Sequence, residues 1–395
     1  MKKKILFIMP NLNCGGAEKA LISLLETLDF SIYDVDLYLF KHEGLFFNKI
    51  PKEVNILPEQ NGFYLFDMPF KKAIKKSFEN KDYKSIIARI GAGYIFKTEQ
   101  NRARCEQRVW RYMSTTFNKI KKEYDIAIGY LEKNSIFFCV DKVSAKRKLG
   151  FIHNDYIQLG MDPKIDCKYF EKLDFLVTVS EQCSEVLKQN FPKYVNKIEV
   201  MQNIISESMI QKMSLENINT NTECINIVTI GRLTYQKGYD LAIKTCKELV
   251  EKGFNVVWKV IGEGEERLNL EKMIKENNLE NSFLLIGIKE NPYPYIRHAD
   301  IYVQTSRFEG KSIAIDEAKI LHKPIVVTNF STVKDQILHN HNGLIVEMNF
   351  KAIAKGIEKL IIEEELRKKI ILALTKENNG TEHEIEKFYK LIEAN

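Results

Sequence analysis

The chain has 395 residues, which is enough for two domains with separate hydrophobic cores. Its hydrophobic content of 45% and charged content of 28% are typical of a soluble globular protein, and no apolar run approaches the roughly 18–20 residues of a membrane-spanning helix. The net charge of +6 comes without a nucleic-acid fold signature, so we expect no nucleic-acid partner.

The first predicted elements are a short strand and an amphipathic helix. Residues 4–9 predict a buried strand, because their apolar run is too short for the core of a signal peptide. A loop leads into a helix from residue 17 to about residue 28. Gly15 and Gly16 open this helix and let a ligand approach the backbone closely. A tight turn without a ligand is the alternative.

Neither a metal site nor a disulfide framework is expected. Asp34 and Asp36 form a D-x-D pair on an alternating strand, residues 33–40, which predicts that both carboxylates point to the same outer face. The seven cysteines are scattered without a C-x-x-C pair. That distribution favours reduced thiols in the cytosol.

A basic segment follows the second strand. Residues 71–123 contain fifteen Lys and Arg against five Asp and Glu, a local charge of +10, so the rest of the chain sums to −4. Aromatic and aliphatic residues interleave with these charges at helical spacing. The combination predicts surface helices that bind an anionic membrane surface. Solvated helices with an ordinary apolar face, or a nucleic-acid surface, are the alternatives.

Three further strands complete the first half, at residues 126–130, 149–153 and 175–179. Because polar or helical residues follow each strand, we expect a parallel sheet with helices on both faces. His153 ends the middle strand, where it can hydrogen-bond a ligand hydroxyl or act as a local acid or base. A purely structural histidine is the alternative.

Two domains are predicted. Residues 206–223 are polar, rich in Asn and Ser and aperiodic, which predicts a linker between an N-terminal domain, 1–205, and a second βα series, 224–375. Residues 376–395 contain a last helix that we expect to pack back on the first domain. The fold class is α/β, with two Rossmann-like domains facing each other across a cleft where the carboxyl ends of the strands meet.

Two loops that follow strands of the second domain contain candidate binding residues. Arg232 and Lys237 flank the first of these loops, where two fixed cations neutralise a diphosphate and stabilise it as a leaving group. Solvated loop charges are the alternative. Gly262 and Gly264 follow the next strand and allow a flat base or a ribose to approach the backbone. Their spacing lacks the third glycine of a dinucleotide-binding loop.

The segment 306–318 predicts a strand-to-helix junction with two carboxylates. Glu309 and Glu317 lie eight positions apart across this junction. The turn Gly310-Lys311-Ser312-Ile313 presents backbone N–H groups with a partial positive charge, and an anion such as a diphosphate fits there. The turn also looks like the end of a P-loop, but that motif needs a glycine where the chain has Thr305, so we do not expect an NTPase.

Together these loops resemble the family 4 retaining glycosyltransferases of GT-B fold. The matching residues span nearly the whole chain and are Gly15-Gly16-Ala17-Glu18, His153, Gly231-Arg232 with Lys237-Gly238, Gly262-Glu263-Gly264, and the E-x7-E pair Glu309 and Glu317. The E-x7-E pair gains specificity from its combination with the N-terminal motif and the Gly-Arg motif.

The resemblance implies roles for the second-domain residues. Arg232 and Lys237 would bind the donor diphosphate. Glu309 would hold hydroxyls of the transferred sugar, and Glu317 would bind the nucleotide ribose. The backbone N–H groups of residues 310–313 would line the sugar–phosphate site.

It also implies roles for the first domain and for the reaction. Gly16 would approach the donor from the other domain, and His153 would contact the sugar near the reacting centre. No positioned protein nucleophile is expected, since the leaving phosphate helps to accept the proton of the acceptor on the same face. Catalysis would then rest on leaving-group stabilisation and positioning, with domain closure excluding water.

Two departures from the family concern the donor sugar. Many family members have an apolar residue and then Pro after the Glu-Gly pair, where this chain has Lys311 and Ser312. The later loop, 328–332, lacks the common paired glycines. Lys311 either contacts a charged sugar or an acceptor phosphate, or points to solvent. The Lys311-Ser312 variant looks like enzymes that build bacterial surface polysaccharides.

The resemblance thus predicts a metal-independent, retaining hexosyltransferase. Its donor would be a nucleoside diphosphate sugar, with UDP as the expected nucleotide and no other cofactor. The acceptor would be a lipid-linked saccharide or polysaccharide in bacterial capsule, exopolysaccharide or wall-polymer biosynthesis. We expect a cytoplasmic protein that is peripheral on the inner face of the cell membrane. The alternatives are a GT-B-fold nucleotide-sugar epimerase or phosphorylase, and a non-catalytic nucleotide-sugar-binding partner subunit.

Overall fold

The computed structural model describes residues 2–13, 15–218 and 223–393 of the chain. Two compact units make up these residues, each with its own parallel sheet and hydrophobic core. Within the described residues, the first unit holds those up to 13, residues 17–202 and the C-terminal residues from 384. The second unit holds residues 203–383 together with residues 15 and 16.

A seven-stranded parallel sheet forms the centre of the first unit. Its strands are β1 (Lys3–Met9), β2 (Tyr33–Leu39), β3 (Asn55–Ile56), β4 (Glu123–Gly129), β5 (Ser144–Ile152), β6 (Phe175–Thr178) and β7 (Ile198–Val200). They lie in the order β3-β2-β1-β4-β5-β6-β7. The helices in this part of the chain are α1 (Gly16–Thr27), α2 (Asn61–Asp67), α3 (Phe70–Glu79), α4 (Tyr83–Thr98), α5 (Arg102–Met113), α6 (Asn134–Lys142), α7 (Pro163–Phe170) and α8 (Glu181–Asn190).

The second unit contains a six-stranded parallel sheet. Its helices are α9 (Glu207–Met213), α10 (Tyr239–Glu251), α11 (Arg267–Glu276), α12 (Tyr293–His298), α13 (Ile313–Ile320), α14 (Phe350–Ile362) and α15 (Glu364–Lys376). Its strands are β8 (Ile225–Ile230), β9 (Val256–Ile261), β10 (Phe283–Leu285), β11 (Ile301–Gln304), β12 (Ile325–Thr328) and β13 (Leu344–Val346), in the order β10-β9-β8-β11-β12-β13. The prediction of two α/β domains with parallel sheets is confirmed.

The last helix, α16 (Glu384–Glu393), packs against the first unit through aromatic side chains. The ring of Phe388 stacks on that of Phe7 with 6.0 Å between the centroids, and Tyr389 stacks on Tyr33 at 5.6 Å. The hydroxyl of Tyr33 donates to the carboxylate of Glu393 at 2.9 Å. These contacts attach the C-terminal helix to the sheet of the first unit.

The polar segment 206–223 is not the irregular linker that its composition predicts. Within it, α9 forms a helix of the second unit, and the side chain of Ile210 is buried. The boundary between the units falls between residues 202 and 203, and residues 376–383 belong to the second unit. Two helical turns in Asn- and Ser-rich sequence are too short for hydrophobic periodicity to reveal them. Residues 219–222 of the predicted linker lie outside the described residues.

Only part of the basic segment, residues 71–123, is exposed to solvent. Helix α5 buries Trp110 in the core of the first unit, where its indole N–H donates to Asp141 at 2.9 Å. The exposed aromatic and aliphatic side chains of the segment lie on α3 and α4 instead. Of the segment 71–123 that is predicted to bind a membrane, only α3 and α4 therefore expose an apolar surface, because α5 uses its apolar face for packing. Among the described residues, no helix is long and apolar enough to cross a membrane.

The prediction that Asp34 and Asp36 share an outer face is wrong for Asp36, which has no exposed surface. Its carboxylate accepts hydrogen bonds from the Tyr124 hydroxyl at 2.5 Å and the Asn55 amide at 2.9 Å. The ammonium of Lys122 lies 2.9 Å away. Helices cover both faces of a parallel sheet, so this strand position has no solvent side. The described residues contain no group of three or more His, Cys, Asp or Glu that could hold a metal ion.

Candidate active site

In the parallel sheet of the second unit, the order in which the chain adds strands reverses between β8 and β11. Strands β9 and β10 lie on one side of β8, and β11, β12 and β13 lie on the other. The connections that leave the carboxyl ends of β8 and β11 therefore diverge, and such a crevice is the usual ligand site of an open α/β sheet. The loops after these two strands contain Lys237 and Glu309, which the sequence predicts as site residues.

Lys237 and Glu309 form a largely buried ion pair at this crevice. The ammonium nitrogen of Lys237 lies 2.6 Å from Oε1 of Glu309, and Glu309 is 6% exposed. The same oxygen accepts hydrogen bonds from the Ser306 hydroxyl at 2.6 Å and the Gln304 amide at 3.1 Å. The amide of Gln236 donates to Oε2 at 3.3 Å. One cation and three neutral donors therefore fix the orientation of this carboxylate.

Arg307 ties the loop after β8 to the loop after β11. Its guanidinium donates two hydrogen bonds to the Asp240 carboxylate, at 2.8 and 2.9 Å, and lies 4.0 Å from the ring centroid of Tyr235. Burial opposes the ionisation of Asp240, but the hydrogen bonds and charge of Arg307 outweigh it, so the pKa of Asp240 is lowered. The backbone N–H of Arg307 also donates to the carbonyl of Gln236 at 2.7 Å. The loops that hold the ion pair are thus positioned without a ligand.

Gln304 is a site residue that the sequence analysis missed. It is the last residue of β11 and is 1% exposed. While its amide nitrogen donates to Glu309, its amide oxygen accepts from the hydroxyls of Ser312 at 2.9 Å and Tyr302 at 3.0 Å. One amide therefore joins Glu309 to the start of α13. The sequence does contain a signal for Gln304, which is a polar residue at the end of an apolar strand. Because buried polar groups need hydrogen-bond partners, such a residue indicates polar neighbours.

The turn before α13 is partly occupied by the protein itself. The N–H of Ser312 donates to the side-chain oxygen of Gln336 at 2.9 Å, and the Gln336 amide donates back to the Ser312 carbonyl at 2.8 Å. The N–H of Ser312 therefore already has a buried acceptor in this arrangement, and its predicted contact with a phosphate stays a prediction. Ile313 is the first residue of α13, and the roles predicted for its N–H and that of Gly310 stay predictions.

Lys311 does not point to solvent, which was one of its two predicted arrangements. Its side chain is 8% exposed, and its ammonium lies 3.6 Å from Oδ2 of Asp316. The other oxygen of Asp316 accepts from the Gln336 amide at 2.8 Å. Contact between Lys311 and a substrate stays a prediction.

Glu317 lies in the second turn of α13 and is 2% exposed. Its carboxylate accepts a hydrogen bond from the Tyr293 hydroxyl of α12 at 3.3 Å. The two carboxylates of the E-x7-E pair thus come from different elements, Glu309 from a loop and Glu317 from a helix. The contact of Glu317 with a ribose stays a prediction.

The remaining predicted residues of the second unit differ in their surroundings. Arg232 is exposed in the loop after β8. A Cβ atom at Gly262 would lie 2.0 Å from the carbonyl oxygen of Gly231, and one at Gly264 would lie 2.3 Å from that of Leu233. Both glycines therefore allow the loop after β9 to pack against the loop after β8. Their contact with a base or ribose stays a prediction.

His153 directly follows β5, which ends at Ile152, one residue before the predicted end of this strand, and His153 is 7% exposed. Its ring lies 5.0 Å from that of Tyr130 and 6.0 Å from that of Phe151, measured between centroids. Packing against these two rings limits the orientations of the imidazole. At the first predicted loop, Gly16 is the first residue of α1 and Gly15 precedes it.

Glu132 supports the His153 segment and was also missed by the sequence analysis. It is 4% exposed and follows β4. One carboxylate oxygen accepts the backbone N–H of His153 at 3.1 Å, and the other accepts the side-chain amide of Asn154 at 2.9 Å. The carboxylate thereby fixes the backbone at the carboxyl end of β5.

A second buried carboxylate lies close to the segment after His153. Asp166 of α7 has no exposed surface and accepts hydrogen bonds from the Tyr156 hydroxyl at 2.5 Å and the Gln107 amide at 2.7 Å. Burial raises the pKa of Asp166 to about 7, although both hydrogen bonds oppose the shift. The side chain therefore carries a proton in the folded state at mildly acidic pH.

We expect the free energy of unfolding to fall as the pH rises from about 4 to about 7. The folded state raises the pKa of Asp166 above 3.8, so it keeps a proton that the unfolded chain loses in this interval. The slope from this group is at most about 1.4 kcal/mol per pH unit. Asp166→Asn should remove it. Denaturant unfolding across this range measures the difference, and identical pH profiles for wild type and variant would contradict the assignment.

The second unit matches a known family of enzymes. Residues 212–376 match the family model described as glycosyl transferases group 1. This range contains Arg232, Lys237, Glu309 and Glu317. The match therefore covers the crevice between β8 and β11 and its predicted residues.

Two curated relatives show how far the similarity extends. The chain is 29% identical to an uncharacterized glycosyltransferase of Methanocaldococcus jannaschii over 177 residues, which are 43% of this chain and 44% of that protein. It is 25% identical over 377 residues to a Campylobacter jejuni enzyme, N-acetylgalactosamine-N,N'-diacetylbacillosaminyl-diphospho-undecaprenol 4-alpha-N-acetylgalactosaminyltransferase. That alignment covers 93% of this chain and 92% of the enzyme. The chain thus spans under half of the first relative and nearly all of the second.

A solved structure shares the fold. Anabaena HepE in complex with UDP and glucose superimposes with a TM-score of 0.69 at 14% identity, and the match covers 100% of both chains. At this identity the likeness concerns the fold.

Proposed function

We propose that this chain is a glycosyltransferase that transfers a sugar from a nucleoside diphosphate to a saccharide acceptor with retention, because its residues 212–376 match the model of glycosyl transferases group 1 and its fold is that of HepE. One observation carries the proposal. The Lys237–Glu309 ion pair lies in the crevice between β8 and β11. A fixed cation beside a buried carboxylate suits a donor that has both a diphosphate and sugar hydroxyls.

The chemistry needs charge stabilisation more than a nucleophile. The bond between the anomeric carbon and the diphosphate oxygen breaks, and a bond forms between that carbon and the acceptor hydroxyl oxygen. The proton of this hydroxyl passes to the departing diphosphate on the same face of the sugar. Lys237 and the exposed Arg232 stabilise the negative charge that develops on the leaving group. Neither a metal ion nor a further cofactor enters this scheme.

The ion pair holds the side chains of Lys237 and Glu309 in position before the donor binds. The Lys237 side chain is 17% exposed, so the ammonium keeps access to a ligand while Glu309 holds it in place. An incoming diphosphate would compete with Glu309 for the ammonium. The carboxylate could then accept hydrogen bonds from sugar hydroxyls, while Ser306 and Gln304 keep its orientation. Binding and orientation of the donor would thus be coupled.

Similar proteins support a more specific form of the proposal. The HepE structure contains UDP and glucose, and the Campylobacter enzyme is named for a diphospho-undecaprenol acceptor. We therefore propose a UDP-sugar as the donor and a lipid-linked saccharide as the acceptor. The pathway would be the assembly of a bacterial surface polysaccharide or wall polymer.

A ligand screen tests the donor site. UDP and one of its sugars should raise the midpoint of thermal unfolding more than GDP or ADP, because a ligand at 100 times its Kd stabilises the folded state by about 2.7 kcal/mol. Lys237→Ala should lose most of this shift. Lys252→Ala, which breaks a surface Lys–Glu pair of 2.8 Å in the same unit, should retain it. If no nucleoside diphosphate shifts the wild-type midpoint, the donor assignment fails.

Product analysis separates the proposed transfer from the alternatives. A retaining transferase gives an α-linked product from an α-linked donor and requires an acceptor. An epimerase would convert the donor without an acceptor, and a phosphorylase would require free phosphate. A non-catalytic binding subunit would bind the donor and leave it unchanged, even over long incubation.

A further inference from the structure

Helix α4 presents most of its large apolar side chains to solvent. Tyr83, Ile87, Ile90 and Tyr94 recur at helical spacing along one face and are 61%, 70%, 56% and 68% exposed. The side chains that α4 buries are Ser85, Ala88, Arg89, Ala92 and Ile95, and only Ile95 among them is large and apolar. Helices on the surface of a globular protein usually place their large apolar residues inside. On α4 most of the large apolar residues lie outside instead, and no element of the described part of the chain covers their stripe.

Helix α3 extends the exposed apolar surface. Phe70 and Phe78 are 44% and 66% exposed, and Ile74 lies between them on the same side of the helix. These three side chains line an open groove together with Lys71, Lys75 and Glu79. The exposed side chains of α3 and α4 form what we call the α3–α4 face. Its apolar residues are contiguous along each helix, unlike single exposed residues elsewhere on a surface.

The α3–α4 face is strongly basic. Residues 70–98 contain eight Lys and Arg and two Asp and Glu. The two acidic residues have partners within the helices: Glu79 lies 3.9 Å from Lys75, and Asp82 accepts the backbone N–H of Ser85 at the start of α4. All seven lysines of this range are exposed. They are Lys71, Lys72, Lys75, Lys76, Lys81, Lys84 and Lys97.

We propose that the α3–α4 face is a docking surface for an anionic lipid bilayer, with the apolar stripe of α4 inserted among the headgroups. Lysines around an apolar stripe suit a negatively charged interface, and tyrosines favour the boundary between water and hydrocarbon. A second copy of the chain is a poor occupant, since pairing two such faces would bring many lysines together. The proposal goes beyond sugar transfer and does not depend on it.

Vesicle flotation with the full chain tests the docking surface. The wild type should float with vesicles of equal parts phosphatidylcholine and phosphatidylglycerol, and far less with phosphatidylcholine alone. Ile87→Ser with Ile90→Ser removes apolar contact, and Lys72→Glu with Lys84→Glu reverses charge. Each double variant should weaken partitioning at least about ten-fold, and high salt should weaken that of the wild type.

Matched controls on the second unit separate a local surface from general attraction. Lys272→Glu with Lys275→Glu makes the same change in net charge on α11, where both lysines are exposed. Leu268→Ser with Ile362→Ser removes two apolar side chains that are 80% and 64% exposed. Both control variants should bind vesicles like the wild type. Equal loss in the control and test variants would overturn the proposal.

A fluorescent reporter distinguishes insertion from mere proximity. The two tryptophans of the chain, Trp110 and Trp258, are buried, so Ile87→Trp adds an exposed indole. Its emission should shift to shorter wavelength with anionic vesicles. An unshifted emission, or a vesicle-free dimer that Ile87→Ser with Ile90→Ser dissolves, would overturn the proposal. Donor-induced thermal shifts should be unchanged in all α3–α4 variants, so this test and that of the transfer reaction can fail separately.

Discussion

Lys237→Ala is expected to lower kcat/KM about 10²- to 10³-fold, the usual effect of removing one preorganised donor that faces developing negative charge. The ammonium is held 2.6 Å from Glu309 in the crevice between β8 and β11, so it needs little reorganisation when the diphosphate leaves. Because this charge develops mainly in the transition state, kcat should fall along with kcat/KM. A rise in KM alone would mean that Lys237 binds the donor without promoting the reaction.

The loss must be separated from a loss of stability. Removing one partner of a buried ion pair destabilises many proteins, but Glu309 keeps hydrogen bonds from Ser306, Gln304 and Gln236. We therefore expect Lys237→Ala to remain folded at assay temperature. Steady-state kinetics and thermal unfolding of this variant, beside Lys252→Ala, make the comparison. Transfer within two-fold of wild type in Lys237→Ala would contradict its assigned role.

The sheets could be predicted because parallel strands are buried on both faces and read as continuous apolar runs. Residues 5–9 and 301–303 are such runs, and both lie in central strands with almost no exposed surface. The same rule explains the error at Asp36, where an alternating pattern suggested a solvent face. Helix α9 was missed because the second unit, rather than local periodicity, provides the contacts that bury Ile210.

The placement of the candidate site was predictable where its residues lie in loops that follow strands. Lys237 and Glu309 are distant in sequence, but the order of β8 and β11 in the sheet brings their loops together. Their supporting residues were not predictable in this way. Gln336 reaches Ser312 from a loop 24 positions away, and its amide gives no local sign of that partner. Hydrogen-bond partners of this kind depend on tertiary distances that spacing along the chain does not contain.

Gly238→Ala is expected to destabilise the protein more than Gly253→Ala, although both glycines have a left-handed backbone. Their φ angles are +66° and +86°. An alanine costs about 1–2 kcal/mol in this conformation. At Gly253 a Cβ atom meets nothing within 4 Å, whereas at Gly238 it would lie 2.1 Å from the carbonyl oxygen of Thr305. Gly238→Ala therefore adds a clash to the backbone strain, and overpacking of this kind typically costs a further 1–3 kcal/mol. Urea unfolding of both variants measures the difference.

The clash at Gly238 should also impair the reaction, because the obstructing atom belongs to the backbone. Thr305 follows β11 immediately and its hydroxyl donates to the Lys237 carbonyl at 2.9 Å, so relief of the clash moves the loops that hold Lys237 and Glu309. We expect kcat to fall in Gly238→Ala at temperatures where the protein remains folded, and to be unchanged in Gly253→Ala. If Gly238→Ala and Gly253→Ala lost the same stability, the left-handed backbone alone would account for both losses and the clash would add nothing. Normal kcat in Gly238→Ala would show that the ion pair tolerates displacement of its loops, and catalysis would then not depend on the positioning described here.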